Sequence, residues 1–138
     1  MRPSLIFLSS LTGLAVLSAA ASLGVLEWQD HDRSQITAAA LAGGNVDAGK
    51  RAIGRFGCGG CHVIPGVDGA DGRVGPSLDG VALRAQIAGR TNNSPDGLIR
   101  WIQHPQAMDP GNAMPELGVS DTEARDIATY LYTLRSEH

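Results

Sequence analysis

"FGCGGCHVIPG", residues Phe56 to Gly66, holds both cysteines of the chain, two glycines apart, with a histidine directly after the second. As a redox pair, Cys58 and Cys61 would open a helix that follows a buried strand. The preceding "DAGKRAIGRFG" reads as a helix instead, and no strand–helix–strand pattern follows. As zinc ligands the two thiols would need two further partners at matching spacing. The chain offers His31, His62, His104 and His138 without a second paired motif.

The third use, which the motif favours, is covalent attachment of a c-type haem through Cys58-Gly59-Gly60-Cys61-His62. Thiols three residues apart lie about one helical turn from each other, so each can add to one of two neighbouring vinyl groups on a porphyrin edge. His62 then points its imidazole under the iron, and Gly59 and Gly60 let the backbone lie close to the macrocycle. Both cysteines are consumed as thioethers, which leaves neither a free thiol nor a disulfide. Composition agrees. A chain of 138 residues is one ordinary domain, aromatics are 4% of it, and the haem supplies the large apolar mass that the side chains lack. The net charge of -3, with Lys50, Arg51 and Arg55 diluted by apolar neighbours, excludes a nucleic-acid face.

Upstream, no charged residue occurs from Pro3 to Leu26, Arg2 precedes the run, and Glu27, Asp30 and Asp32 follow it. This is the pattern of a segment inserted with its N-terminus in the cytoplasm, which exports the rest of the chain. The length of the run, with Trp28 at the interface, favours a retained single-pass anchor; cleavage at Ala19 to Ala21 would leave a soluble periplasmic protein on the same side. The expected organisation is an anchor or signal over residues 1–26, a spacer over 27–44 that includes a solvated His31, and a haem domain over 45–138.

Three helices are expected in that domain. Asn45 or Asp47 caps the first, which runs to about Arg55 with Val46 and Ile53 inward and Gly49 and Gly54 allowing close contact. Ser94-Pro95-Asp96 opens the second, which stops before His104-Pro105. A capping box from Ser120 to Glu123 opens the third, whose Ala124, Ile127, Ala128, Leu131 and Leu134 recur at helical spacing.

In "DAGKRAIGRFGCGGCH", "VGPSLDG" and "AMPELGVSDTEARDIATYLYTL" the chain resembles the class I cytochromes c, specifically the single-haem, membrane-anchored bacterial type, over about Asn45 to Leu134. The resemblance implies an all-α fold of about three main helices around one covalently bound haem c. It implies that the first and third helices cross, with Gly54 or Phe56 meeting Tyr130 or Leu131. The iron takes His62 and a Met sulfur; Met114, in a proline-punctuated loop before the last helix, matches the family pattern, with Met108 the alternative. His104 reads as a helix-end dipole partner. The Pro76 carbonyl is implied to accept a hydrogen bond from His62. Trp101 is implied to donate its indole N–H to a haem propionate, and Arg84 or Arg90 to neutralise the propionates or to stay solvated. "AGRTNNSPDG" has no counterpart in the shorter family pattern and no expected place against the haem.

The function so implied is a non-enzymatic single-electron carrier of a respiratory or related chain, between a quinol-oxidising complex or dehydrogenase and a terminal oxidase. It would dock through the haem edge near Cys58 to Ile64. The alternatives are a bound subunit of a larger membrane oxidoreductase, with Gly13, Ala15 and Ser18 permitting helix packing, and a haem-based gas sensor or peroxidase with an open iron.

Overall fold

Uninterrupted Ala, Leu and Ser with no proline after the first turn make one helix, α1 (Pro3–Ala42), of the whole N-terminal region. The computed structural model describes the backbone of residues 3–135. Met1, Arg2 and His138 therefore lie outside the described residues, as do the side chains of residues 3–10 and 30. The chain divides into two units at Arg33 and Ser34. In the first, Leu14, Leu17, Leu23 and Leu26 are all exposed, and Ser22 turns its hydroxyl back onto the Ser18 carbonyl at 2.8 Å. That bond removes a polar group from an otherwise apolar surface. From Leu11 the helix is long and apolar enough to cross a membrane, the property shared by an anchor and a signal.

The second unit begins inside the last turns of α1. Ala38 and Ala42, four residues apart on one face, are buried in its core. The stretch read from sequence as a spacer thus contributes two small core side chains. α2 (Val46–Arg55) follows, capped by Asn45, whose Oδ1 accepts from Ala48 N at 2.8 Å. A short antiparallel hairpin, β1 (Gln86–Ile87) with β2 (Thr91–Asn92), pairs Ile87 with Thr91. α3 (Pro95–Gln103) is capped by Ser94, and a single turn, α4 (Pro105–Met108), comes after His104. α5 (Asp121–Leu131) closes the domain. The all-α reading holds, with α2, α3 and α5 as the three main helices.

α2 and α5 form the most extensive helix pairing. Gly49 makes it possible: a Cβ there would fall on the Asp126 carbonyl and 3.0 Å from Tyr130 Cβ. Gly54, expected at this crossing, is exposed and has open space beside it. The reason is angular. Gly49, Ala52, Ile53 and Phe56 share the inner face of α2, and Gly54 projects from the other. Two long-range bonds tie the chain entering α2 to α5: Gly44 N donates to Thr129 Oγ1 at 3.1 Å, and Asn45 N to Asp126 Oδ1 at 2.7 Å. Thr129 is fully buried and donates its own hydroxyl to Arg125 O at 2.8 Å, so its oxygen is satisfied.

The α5 capping box is complete. Ser120 Oγ lies 3.4 Å from Glu123 N and 2.6 Å from Glu123 Oε2, and Ser120 N donates to that carboxylate at 3.0 Å. The Ser120 hydroxyl, then its backbone N–H, hold the Glu123 carboxyl below its ordinary value. A depressed carboxyl stabilises the fold above its unfolded-state value and stops doing so as pH falls through the folded one. Ser120→Ala is expected to cost about 1 kcal/mol at neutral pH. It should also flatten the dependence of the urea midpoint on pH in the acidic range where Glu123 titrates. An unchanged acid limb would show that the box contributes nothing there.

Candidate functional site

α2 ends at Arg55, and the chain enters a 3₁₀ turn, Cys58–Gly60, in which His62 N closes on Cys58 O at 3.0 Å. The following loop folds back over this turn: Gly72 N donates to Gly59 O at 3.0 Å and Gly75 N to Cys61 O at 2.8 Å. Gly59, expected to face the macrocycle, is needed by the chain itself, because a Cβ there would meet Ala70 at 2.8 Å. Tyr130 reaches across from α5 and donates its hydroxyl to Pro65 O at 2.7 Å; burial pushes its phenol above the ordinary value.

This arrangement walls one side of a cavity of about 330 Å³. That volume lies within the usual range of cofactor sites, roughly 300–1,000 Å³. Cys58, Cys61, His62 and Pro76 border it, as do Trp101 from α3 and Met114 from the segment before α5. Ile53, Ile64, Leu98, Ile127 and Leu131 make the remainder mostly apolar. Six of the residues singled out from the sequence therefore meet at one cavity. Met108 is packed against the core on α4 and does not border it, and His104 is exposed at the end of α3.

His62 is held in a defined state. Its Nδ1 lies 2.7 Å from the Pro76 carbonyl oxygen. A carbonyl only accepts, so Nδ1 donates there, and Nε2 is the ring nitrogen left to meet a Lewis acid. The ring also lies against Gly75, where any Cβ would overlap it, the nearest such contact being with Cε1. No disulfide joins the two cysteines, and burial pushes the Cys58 thiol above its ordinary value. A redox-active pair needs the opposite shift. Among the described residues no three His, Cys, Asp or Glu side chains group to hold a metal ion, so the zinc alternative lacks ligands there.

The residues suit a haem. Two unpaired thiols, an imidazole with a free nitrogen, a thioether and an apolar enclosure share one cavity, which is the donor set of a His/Met-ligated, thioether-linked haem. Arg84 borders the cavity and spends one guanidinium nitrogen on Ser77 O at 2.6 Å and Asp79 O at 2.8 Å. Arg90 does not border it and pairs with Asp109, Nε to Oδ1 at 3.2 Å.

The stretch with no assigned place, "AGRTNNSPDG", continues a hairpin that walls the cavity, to which the stretch itself contributes Ala88. Gln86, Ile87 and Ala88 of the hairpin border the cavity. Asn93 staples the hairpin in place, donating Nδ2 to Val81 O at 2.8 Å and Arg84 O at 2.9 Å while accepting from the Tyr132 hydroxyl at 3.1 Å. A local signal existed: Ile87 and Thr91 flank a three-residue Ala-Gly-Arg loop, a hairpin spacing with glycine inside it.

Over 91 residues, 65% of this chain, the sequence is 31% identical to a cytochrome c oxidase subunit 2 of Alkalihalophilus pseudofirmus, of which the match covers 26%. It is 38% identical over 76 residues, 46% of this chain, to cytochrome c2 of Rhodopila globiformis, covering 72% of that protein. The chain thus spans about a quarter of the first relative and nearly three quarters of the second. No solved structure matches it. The cytochrome c family model matches residues 46–135, which encloses every wall of the cavity, and the chain belongs to the cytochrome c family, whose members carry covalently bound haem c and transfer electrons.

Proposed function

We propose that the chain carries single electrons on one haem c at the outer face of the cytoplasmic membrane, tethered by residues 1–26 and lifted by the segment that follows. Cys58 and Cys61 form the thioethers. His62, oriented by Pro76 O and seated on Gly75, and Met114 would hold the iron, and Trp101 and Arg84 would pair with the propionates. Bound there, the haem supplies a one-electron couple, and a Met sulfur raises its potential relative to a second His. The haem domain over residues 45–138 takes Ala38 and Ala42 of the preceding helix into its core, and its donor and acceptor are a quinol-oxidising complex or dehydrogenase and a terminal oxidase. The observation that carries this reading is the meeting of Met114 with the C-x-x-C-H turn at one apolar cavity.

A second reading, a fixed cytochrome subunit of a larger membrane oxidoreductase, is supported by the likeness to a cytochrome c oxidase subunit 2. Mild detergent extraction separates the two: a carrier leaves the membrane alone, a subunit leaves with its complex, and release without detergent points to a cleaved signal.

Met114→Ala tests the carrier. The variant is expected to lose the near-infrared band of a Met sulfur on ferric iron, to bind carbon monoxide readily when reduced, and to have a lower midpoint potential. Ready uptake of carbon monoxide by the native reduced protein would overturn the carrier reading in favour of a sensor or peroxidase.

A further inference from the structure

Met114 lies in a segment, residues 109–120, with neither helix nor strand to hold it. The place of its backbone rests on two side-chain amides. Gln106 on α4 donates Nε2 to both Asn112 O and Met114 O at 2.8 Å, and its Oε1 accepts from Gly111 N at 3.2 Å. Asn112 donates Nδ2 to Pro105 O at 2.9 Å and Asp109 O at 2.6 Å, and its Oδ1 accepts from Met114 N at 2.8 Å. The N–H and the C=O of Met114 are thus gripped by different side chains. Gln106 and Asn112 are also joined to each other, because Gln106 holds the Asn112 carbonyl.

Only carboxamides satisfy this pattern. Each of the two side chains gives N–H bonds to two carbonyl oxygens and receives one backbone N–H. A carboxylate has nothing to donate, and an aliphatic side chain at 106 would take the donor from the Asn112 and Met114 carbonyls; Pro105 O and Asp109 O also accept from the backbone N–H groups of Asp109 and Asn112. The remaining tie of this segment to the hairpin, Arg90 to Asp109, has an exposed arginine and contributes little.

We infer that Gln106 and Asn112 are positioning residues for Met114. Their amide clamp keeps the thioether at the cavity wall in both oxidation states, suppresses its exchange for outside ligands, and so helps set the potential. The inference rests on Met114 being the second axial ligand. A ligand held by a rigid surround has little to rearrange as charge changes, which is the advantage of preorganisation.

The test uses the holoprotein with three variants. Gln106→Glu keeps size and acceptor but removes both donors; Asn112→Ala removes the grip on Met114 N. Gln103→Ala is the control, since its amide reaches Val119 O, at 3.4 Å. Three quantities are read: the near-infrared sulfur band, the rate of carbon monoxide binding to the reduced protein, and the midpoint potential. A urea midpoint taken alongside registers any purely structural loss. The first two variants are expected to weaken the sulfur band and to raise the carbon monoxide rate by about tenfold or more, the population change that one lost hydrogen bond produces. Gln103→Ala should leave band and rate as in the native protein. If Gln106→Glu does not accumulate, Gln106→Ala with a native helix signal is read by the same criteria. A native protein without the sulfur band overturns the Met114 assignment itself. A native band that survives unchanged in both clamp variants, with an unchanged carbon monoxide rate, overturns the clamp and leaves that assignment standing.

Discussion

The double variant Cys58→Ala/Cys61→Ala is expected to emerge without covalent haem and without a folded second unit. The core around the cavity is built from Ile53, Ile64, Leu98, Trp101, Ile127 and Leu131, and six aromatic side chains are all the chain possesses. Left empty, a space of about 330 Å³ cannot be closed by those residues. Without the haem the apolar walls of that space are exposed to water, and their burial no longer stabilises the fold. Domains of this size have roughly 5–15 kcal/mol to lose. The lost burial draws on that small margin, and His62 and Met114 without the thioethers would retain haem only reversibly. Mass spectrometry should find the bare polypeptide, and proteolysis should remove residues 45–135 while the native holoprotein resists. Either single variant is expected to keep haem through its remaining thioether. A double variant that melts cooperatively near the native temperature would mean that the walls collapse onto one another, and that the cofactor is not what fills the core.

Gly49→Val is expected to destabilise the holoprotein by about 3 kcal/mol or more, beyond the usual cost of overpacking because the obstacle is backbone. The added Cβ would occupy the position of the Asp126 carbonyl, and a carbonyl inside α5 cannot move without opening its helix. Separating α2 from α5 would also strain the bonds from Gly44 N to Thr129 and from Asn45 N to Asp126. Gly54→Ala carries the opposite sign. Its site is exposed with nothing within 4 Å, so a methyl group there should stabilise α2 slightly, by up to about 1 kcal/mol. Urea midpoints of the two holoprotein variants decide the matter. Similar shifts in the two would show that helix propensity, and not the close crossing, governs both glycines.

What could be read from the sequence was chemistry confined to neighbouring residues. Ser94-Pro95, Ser120 with Glu123, and Asn45 announce helix starts because a cap satisfies N–H groups two or three residues away. C-x-x-C-H announces a haem because both thioethers and the imidazole must come from one turn. The choice of Met114 over Met108 came from likeness to a family, and the cavity borders Met114 alone of the two. The hairpin wall stayed unread although its turn signal was present, since nothing local says which sheet residue will face a cofactor. Gly49 and Gly54 are indistinguishable by composition, and only the face of α2 turned towards Asp126 separates them.

By itself, then, the sequence determined an all-α domain, its helix starts, its C-x-x-C-H turn and an apolar N-terminal helix, because each depends on contacts a few residues apart. The tertiary structure alone decided that Gly49 carries the crossing, that Ala38 and Ala42 belong to the core, that the hairpin walls the cavity, and that Gln106 and Asn112 grip Met114. The reason is physical. A cap or an attachment motif is satisfied within one turn of chain, whereas a cavity wall or a close crossing is satisfied only when packing brings residues from separate elements to within contact distance.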